Sequence, residues 1–171
     1  MSLGLEHGIN RVVPYSSDWP IQYVRESEKI KRVCTVRILG MEHVGSTAVP
    51  GLISKPIIDI AVGVARLSVA VTMKADMASI GYDYPGDVGI PDDRIFGRDK
   101  PVRHFLVHVV EYDGAKWHQY LQFRNALRSQ PQLAAEYGRL KTHIVEQHPT
   151  GRAAYAEQKT DFVNKVLSGS N

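Results

Sequence analysis

Residues 42–64 read "EHVGSTAVPGLISKPIIDIAVGV" and place a Gly-Ser turn, two prolines and a lysine ahead of a single aspartate, Asp59. The last nine residues are apolar at almost every position, which is typical of an interior strand covered on both faces. A carboxylate in so apolar a strand is costly to bury without a partner. We therefore expect Asp59 to meet a metal ion, a basic group or N–H donors. The structural alternative is that Asp59 anchors residues 45–55 through their backbone amides.

The rest of the chain carries a few strand patterns followed by helical ones. We predict a helix over residues 18–37, a strand over 39–44, a helix over 67–81, a turn-rich excursion over 86–101 with a short strand at 94–98, and a strand over 102–112. Helical patterns then cover residues 116–130, 132–147 and 151–169. Strands first and helices last predict an α+β fold, a mixed sheet packed against helices, in one domain spanning residues 1–171.

Composition narrows the class of protein. The net charge of +3 and the pI near 9.0 favour anionic ligands such as phosphates. The single cysteine, Cys34, excludes an internal disulfide and a multi-cysteine zinc site, and it fits a reducing cytoplasm. No apolar run reaches the roughly 18 residues that a membrane span needs. We expect a cytoplasmic protein without membrane association, and no RNA-binding signature indicates a nucleic-acid partner.

The Gly-Ser turn and Asp59 suggest one chemistry together. Nucleotidyl transfer requires backbone N–H groups that hold a polyphosphate and, close by, strand carboxylates that hold a divalent cation. Ser46 precedes Asp59 by 13 positions, and the prolines and glycine between them can return the chain into the sheet. This spacing indicates a phosphate turn facing an acidic strand.

The segment "EHVGSTAVPGLISKPIIDI" closely resembles the signature of the GrpB family, and "HFLVHVVEYDGAKW", "LQFRNALR" and "QKTDFVNKVL" extend the resemblance over nearly the whole chain. The family is similar to the nucleotidyltransferase superfamily and also occurs fused to dephospho-CoA kinase. The resemblance implies a minimal nucleotidyltransferase-like fold. By this resemblance, Gly45 and Ser46 correspond to the phosphate turn of that superfamily, and Asp59 corresponds to its metal-binding aspartate.

The chain departs from the superfamily pattern at Ala61. Alternate strand residues share a face, so a second carboxylate two residues after Asp59 would complete a Mg²⁺ site. Because Ala61 stands there, we expect the second metal-binding carboxylate to come from Glu111, with Glu42 as the next choice. Asp59, Glu111 and His108 are then the predicted catalytic residues.

Histidine and basic side chains supply the remaining predicted contacts. His104 and His108 are four residues apart on one strand, too distant to chelate the same ion. His108 could act as a base or join Asp59, and His43 could orient the turn or touch a phosphate; a hydrogen-bonded interior histidine is the alternative for both. The predicted nucleotide-binding residues are Gly45, Ser46, Thr47, Lys55, His43, Arg103, His104 and Arg124, with Arg128 as a further possible phosphate contact.

Two functions remain open at this point. The first is Mg²⁺-assisted transfer of a nucleotidyl group from a nucleoside triphosphate to an unknown acceptor. The second is an accessory domain that binds a nucleotide, a CoA-linked molecule or another phosphate-bearing small molecule without catalysis. Ala61 is the residue that distinguishes the two functions, because catalysis of this type normally uses two carboxylates.

Overall fold

The computed structural model describes residues 3–85, 89–98, 100–151 and 153–169, and residues 86–88 and 99 of the predicted excursion lie outside that part. The strands are β1 Leu5–Glu6, β2 Gly40–Val44, β3 Ile58–Val64, β4 Tyr82–Asp83, β5 Arg94–Arg98, β6 Val102–Arg103 and β7 Phe105–Glu111. The α-helices are α1 Asp18–Val33, α2 Met73–Ser79, α3 Ala115–Ser129, α4 Pro131–Gln147 and α5 Ala153–Ser168. Short 3₁₀ turns occur at Ser46–Ala48 and Leu67–Val71.

Strands β2, β3, β7, β5 and β4 form a mixed sheet in that order. β3 runs parallel to β7, and the other neighbouring pairs are antiparallel. β3 was expected to be central. It is an interior strand with a neighbour on each side, while β7 takes the middle position of the sheet. β1 and β6 pair in a separate small ribbon.

The residues of β3 alternate between two environments, as the period of a strand requires. Ile58, Ile60, Val62 and Val64 are fully buried in the main core, which α1 and α2 cover. Ala61 belongs to a second apolar cluster, with Val44, Val110 and Trp117, on the side covered by α3. Asp59 lies two residues before Ala61, so its side chain also leaves the sheet on the α3 side.

Three predicted elements differ clearly in the structure. The predicted helix 67–81 is a 3₁₀ turn at Leu67–Val71 followed by α2. The first helix ends at Val33 rather than near residue 37, because Asp76 accepts hydrogen bonds from the backbone N–H and the hydroxyl of Thr35, both at 2.8 Å. The predicted strand 102–112 is divided at His104. Its first two residues pair with β1, whereas β7 pairs with β3 and β5.

The three C-terminal helices pack on one another and on the loop that follows the Gly-Ser turn. Tyr137 is fully buried between Phe123 and Phe162, with ring centroids 5.4 and 4.8 Å away. Val49 and Leu52 join the same apolar cluster. A mixed sheet with a helical C-terminal part confirms the predicted α+β class, and this packing fixes the position of the loop beside the turn.

Candidate functional site

The Gly-Ser turn and Asp59 lie directly against each other. Gly45 follows β2 with φ +70° and ψ −171°, a backbone conformation that is essentially restricted to glycine. The last residue of β2, Val44, pairs with Asp59 across the ladder. A Cβ atom added to Gly45 would stand 2.3 Å from Asp59 Oδ2. The carboxylate therefore packs on the bare backbone of the turn, so the predicted neighbourhood of Gly45, Ser46 and Asp59 is present.

Several predicted nucleotide-binding residues instead support this turn from behind. His43 is buried, and its Nε2 lies 2.9 Å from Thr47 Oγ1. Arg124 donates to the His43 carbonyl oxygen at 2.9 Å and to Glu42 Oε2 at 2.6 Å. Arg128 donates to the Ala48 carbonyl oxygen at 2.8 Å. These contacts are internal to the protein, which makes His43 and Arg124 supports of the turn.

The environment of His43 agrees with that role. Its ring stacks on Tyr23 with centroids 4.9 Å apart. Burial lowers the pKa of His43 to about 4, more than the charge of Asp59 raises it, so the ring is neutral at pH 7. A neutral imidazole hydrogen-bonded to Thr47 orients the turn and carries no charge for a phosphate.

A cleft of about 350 Å³ opens beside Ser46 and Asp59. Lys55, Arg103 and Lys159 also line this cleft, and Thr47 contributes to its wall. Residues from β1, from the loop before β3 and from α5 therefore meet at one place. The Asp59 side chain is 27% exposed, which leaves part of its carboxylate open to the cleft. The geometry confines a small volume between the Gly-Ser turn and three cationic side chains, and the acids Asp59 and Glu6 also line it.

Neighbouring groups fix two of these cations in position. Lys55 donates to Asn10 Oδ1 at 2.6 Å, and the Asn10 amide in turn donates to the carbonyl oxygens of His148 and Gly151. The guanidinium of Arg103 lies over Gly97, where an added Cβ would collide with its Nη1. Arg103 also contacts Asp83 at 3.4 Å. Preorganised cations of this kind bind an anion with less loss of side-chain entropy.

A chain of polar side chains leads from Asp59 into the interior. His108 Nε2 lies 3.5 Å from Asp59 Oδ1, and His108 Nδ1 lies 2.9 Å from Asp93 Oδ2. The Tyr120 hydroxyl donates to the same Asp93 oxygen at 2.6 Å. The Asp93 side chain is fully buried. Burial lowers the pKa of His108, but the two carboxylates outweigh it and raise that pKa to about 9, so the ring is protonated at pH 7.

The structure does not bring Glu111 to Asp59. Asp59 pairs with Leu106 and Val64 pairs with Glu111, so the two acids stand at opposite ends of the parallel ladder, roughly 16 Å apart along the strands. Glu111 instead accepts a hydrogen bond from the Leu67 backbone at 3.2 Å. The expectation of a metal-binding and catalytic Glu111 is therefore not met, because that expectation ignored the strand direction.

Two further predicted residues have other partners or surroundings in the structure. Glu42, the second choice of acid, is paired with Arg124, and the part of the chain that the structure describes contains no group of three or more metal-binding side chains. His104 lies with Arg98 and Phe105 in a separate surface depression, away from Asp59. Asp93, which lies just before β5 and was not selected from the sequence, proves to be the buried acid nearest to His108. The only sequence signal for it was an aspartate pair in a turn-rich segment.

A larger groove of about 840 Å³ lies between residues 49–53 and helices α3 and α4. Neither Ser46 nor Asp59 lines it, and most of its wall is apolar. Size alone would therefore not select the cleft beside Ser46 and Asp59. The smaller cleft is preferred as the functional site because only there do the turn, the acid and the cations converge.

Proteins of similar sequence identify the family of this chain. The family model described as GrpB protein matches residues 10–168. The chain belongs to the GrpB family. It is 29% identical to the glutamate-rich protein GrpB of Alkalihalophilus pseudofirmus, over 97% of this chain and 98% of that protein. It is also 27% identical to a dephospho-CoA kinase of Mycolicibacterium paratuberculosis, over 85% of this chain but only 45% of the kinase.

Two solved structures show similarity to this GrpB-family fold at different levels. The crystal structure of GrpB from Enterococcus faecalis matches with a TM-score of 0.84 and 30% identity, covering 93% of this chain and 98% of that one. The Cid1 poly(U) polymerase matches with a TM-score of 0.54 and 11% identity, covering 86% of this chain and 50% of that one. The second similarity shows the fold alone, and it confirms the nucleotidyltransferase-like fold. Within the described residues, no helix is both long enough and apolar enough to cross a membrane.

Proposed function

We propose that the cleft beside Ser46 and Asp59 binds a nucleoside triphosphate or a related phosphate-bearing molecule through its phosphate chain. The observation that carries the proposal is the convergence of Ser46, Lys55, Arg103 and Lys159 on one small cleft. Backbone N–H groups of a glycine turn and charged lysine or arginine donors are the groups that proteins use to hold phosphate oxygens. The Cid1 neighbour, whose structure was solved with MgATP, supports a nucleotide as the first ligand to try.

Among the residues that the structure describes, none completes the two-carboxylate magnesium site expected from the superfamily. Ala61 is fully buried in the apolar cluster with Trp117, so its position is closed to the cleft. Glu111 is at the other end of the ladder. The side chain that stands next to Asp59 is His108, whose Nε2 lies 3.5 Å from Asp59 Oδ1 and whose Nδ1 lies 2.9 Å from Asp93 Oδ2, so both ring nitrogens already face carboxylates. No step of the proposed binding therefore passes through a metal ion.

This geometry favours the binding function over nucleotidyl transfer. Transfer remains the second candidate, because Asp59 lies against the Gly-Ser turn in a nucleotidyltransferase-like fold. The two functions differ in one product: transfer releases pyrophosphate from the triphosphate, whereas binding leaves the nucleotide intact. The similarity to a dephospho-CoA kinase adds dephospho-CoA to the ligands worth testing.

Isothermal titration calorimetry tests binding directly. The panel contains ATP, GTP, CTP, UTP, dephospho-CoA and inorganic tripolyphosphate, each with Mg²⁺ and with EDTA. We expect one of these ligands to bind, and Lys159→Gln to weaken binding about tenfold through loss of a charge-assisted hydrogen bond. Lys165→Gln is the matched control, since Lys165 is an exposed lysine on the same helix. Absence of binding by every ligand, or equal effects of the two substitutions, would contradict the proposal.

Asp59→Asn then separates the possible roles of the acid. If Asp59 held a Mg²⁺ ion, the substitution would remove the Mg²⁺-dependent part of the affinity. If Asp59 acts without a metal, the substitution removes a negative charge near the phosphates, and affinity in EDTA should rise or stay unchanged. Pyrophosphate release from ATP, measured on the same samples, reports on transfer.

A further inference from the structure

His108 occupies the level of the sheet at which the second carboxylate is absent. In the parallel ladder, His108 pairs with Ala61, so both side chains point to the α3 side. The small Ala61 side chain leaves room beside Asp59, and the His108 ring reaches across the strand to within 3.5 Å of Asp59 Oδ1. An imidazole thus stands where a carboxylate and its bound cation would stand in a two-carboxylate site.

Both nitrogens of this ring face carboxylate oxygens. Nδ1 is 2.9 Å from Asp93 Oδ2, and Nε2 is directed at Asp59. An ionised carboxylate can only accept hydrogen bonds, so a ring placed between two of them is satisfied when both nitrogens carry a hydrogen. These contacts favour an imidazolium, a positive charge between two acids, and the Tyr120 hydroxyl lies 3.0 Å from Nδ1 as a further neighbour.

The surroundings of Asp93 hold this charge in place. Asp93 is completely buried, and its Oδ2 accepts from both His108 and the Tyr120 hydroxyl. The Tyr120 ring also packs beside the imidazole, with centroids 5.0 Å apart. A buried carboxylate is stable only with a compensating partner, and His108 is the cation that the structure places against it.

We propose that the cleft binds its phosphate ligand without a divalent metal, because the His108 imidazolium, fixed by Asp93 and Tyr120, supplies the counter-charge of Asp59 that a metal ion supplies in two-carboxylate sites. This inference rests on the proposed function and specifies how that site works. Asp59 no longer repels an incoming phosphate at full strength, and the three cleft cations hold the ligand directly. Asp93 and Tyr120 are positioning residues.

The experiment compares ATP binding in EDTA and in MgCl₂ by calorimetry. We expect the wild-type dissociation constants in the two buffers to agree within about threefold. His108→Gln removes the positive charge, so its affinity in EDTA should fall about tenfold, with partial recovery in Mg²⁺ once Asp59 can attract the ion. His118→Gln is the matched control, because His118 forms a comparable 2.8 Å pair with Asp113 at the surface.

A second measurement covers the case in which His108→Gln does not fold. In ¹⁵N-labelled wild-type protein at pH 7.5, the His108 ring should show the signals of a doubly protonated imidazole, and Asp93→Asn should shift them, while Asp113→Asn should not. Wild-type binding that requires Mg²⁺, or a neutral His108 ring, would overturn the inference and leave the proposed function standing. Failure of ATP and of every other ligand of the panel to bind in either buffer would overturn both.

Discussion

The Asp59 carboxylate rests on the backbone of Gly45, so closely that a single Cβ on the glycine would stand 2.3 Å from Asp59 Oδ2. The acid of β3 and the phosphate-type turn after β2 are therefore one structural unit. Each fixes the other, because Gly45 can approach only without a side chain and Asp59 fills the space that results. This unit also explains how one carboxylate can be kept inside an apolar strand: it emerges at the point where the sheet meets the turn.

Gly45→Ala should destabilise the protein by about 2–5 kcal/mol, because it combines a backbone conformation that alanine rarely adopts with a collision against Asp59. Gly51→Ala is the matched control, since Gly51 also has a positive φ of 78° but no atom within 4 Å of an added Cβ. Urea unfolding of both variants separates strain from collision. Equal losses of stability would show that the contact with Asp59 has no energetic effect.

Gly97→Ala should weaken binding of tripolyphosphate about tenfold, because the added Cβ displaces the Arg103 guanidinium from the cleft and removes a charge-assisted contact. Arg103→Gln should produce a similar loss. The double variant should bind no more weakly than either single one, since both substitutions remove the same contact. Additive losses measured by calorimetry would show that Gly97→Ala does not act through Arg103, and unchanged binding by Arg103→Gln would place Arg103 outside the binding site.

The stability of the wild-type protein carries a contribution from His108 that depends on pH. The folded pKa is raised from 6.5 to about 9, so between these values the folded chain binds a proton that the unfolded chain lacks. This contribution is complete below pH 6.5 and is lost as pH rises through 9, a change on the order of 3 kcal/mol. Asp93→Asn should reduce the change, whereas Asp113→Asn should leave it intact. Urea unfolding at pH 6.5 and pH 9 measures the change in the free energy of unfolding between the two pH values. An equal change in the wild type and in Asp93→Asn would refute this prediction.

Lys141 should have the opposite effect. Its side chain is buried on α4, its Nζ donates to the Ile53 carbonyl oxygen, and burial, aided by Lys159, lowers its pKa to about 6 against the attraction of Asp59. Between pH 6 and the unfolded pKa of 10.5, the unfolded chain binds the extra proton, so this contribution to stability rises with pH.

The stability of Lys141→Met should therefore be closest to that of the wild type near pH 6. It should fall further below the wild-type stability as the pH rises toward 9. The substitution also leaves the Ile53 carbonyl oxygen without its donor, an effect of roughly 1–3 kcal/mol that does not change with pH. Unfolding curves at the two pH values isolate the pH-dependent part. Lys165→Met, at an exposed position, should show a constant difference from wild type, and the same constancy for Lys141→Met would disprove a neutral buried lysine.

The local features of the site were predictable, because they depend on residues close together in the chain. The Gly-Ser turn, the apolar strand and the acid within it all lie in residues 42–64, and their contact follows from one antiparallel pairing. Lys55 was expected near the cleft for the same reason. The α+β class followed from the order of strand and helix patterns, which a single sequence displays directly.

The features that were missed depend on strand direction and on distant segments. Glu111 was selected because it ends the second strong strand, but a parallel pairing sends that end away from Asp59. The role of Asp93 could not be predicted, because it depends on contacts with His108 and Tyr120, which lie 15 and 27 positions further along the chain. Lys159 is not among the predicted contacts for a similar reason, since the packing of α5 brings it to the cleft that Ser46 also lines.

The residues that form and support the cleft lie far apart in the chain, so they are synthesised at different times. Asn10, made early, holds Lys55 and also binds the carbonyl oxygens of His148 and Gly151, which are made late. Strands β2 to β7 precede α5 in the chain, so Lys159 is the last of the three cleft cations to be synthesised. Under the proposed function, a bound phosphate chain would require both distant segments to be docked. By the same geometry, displacement of α5 would remove Lys159 from the cleft.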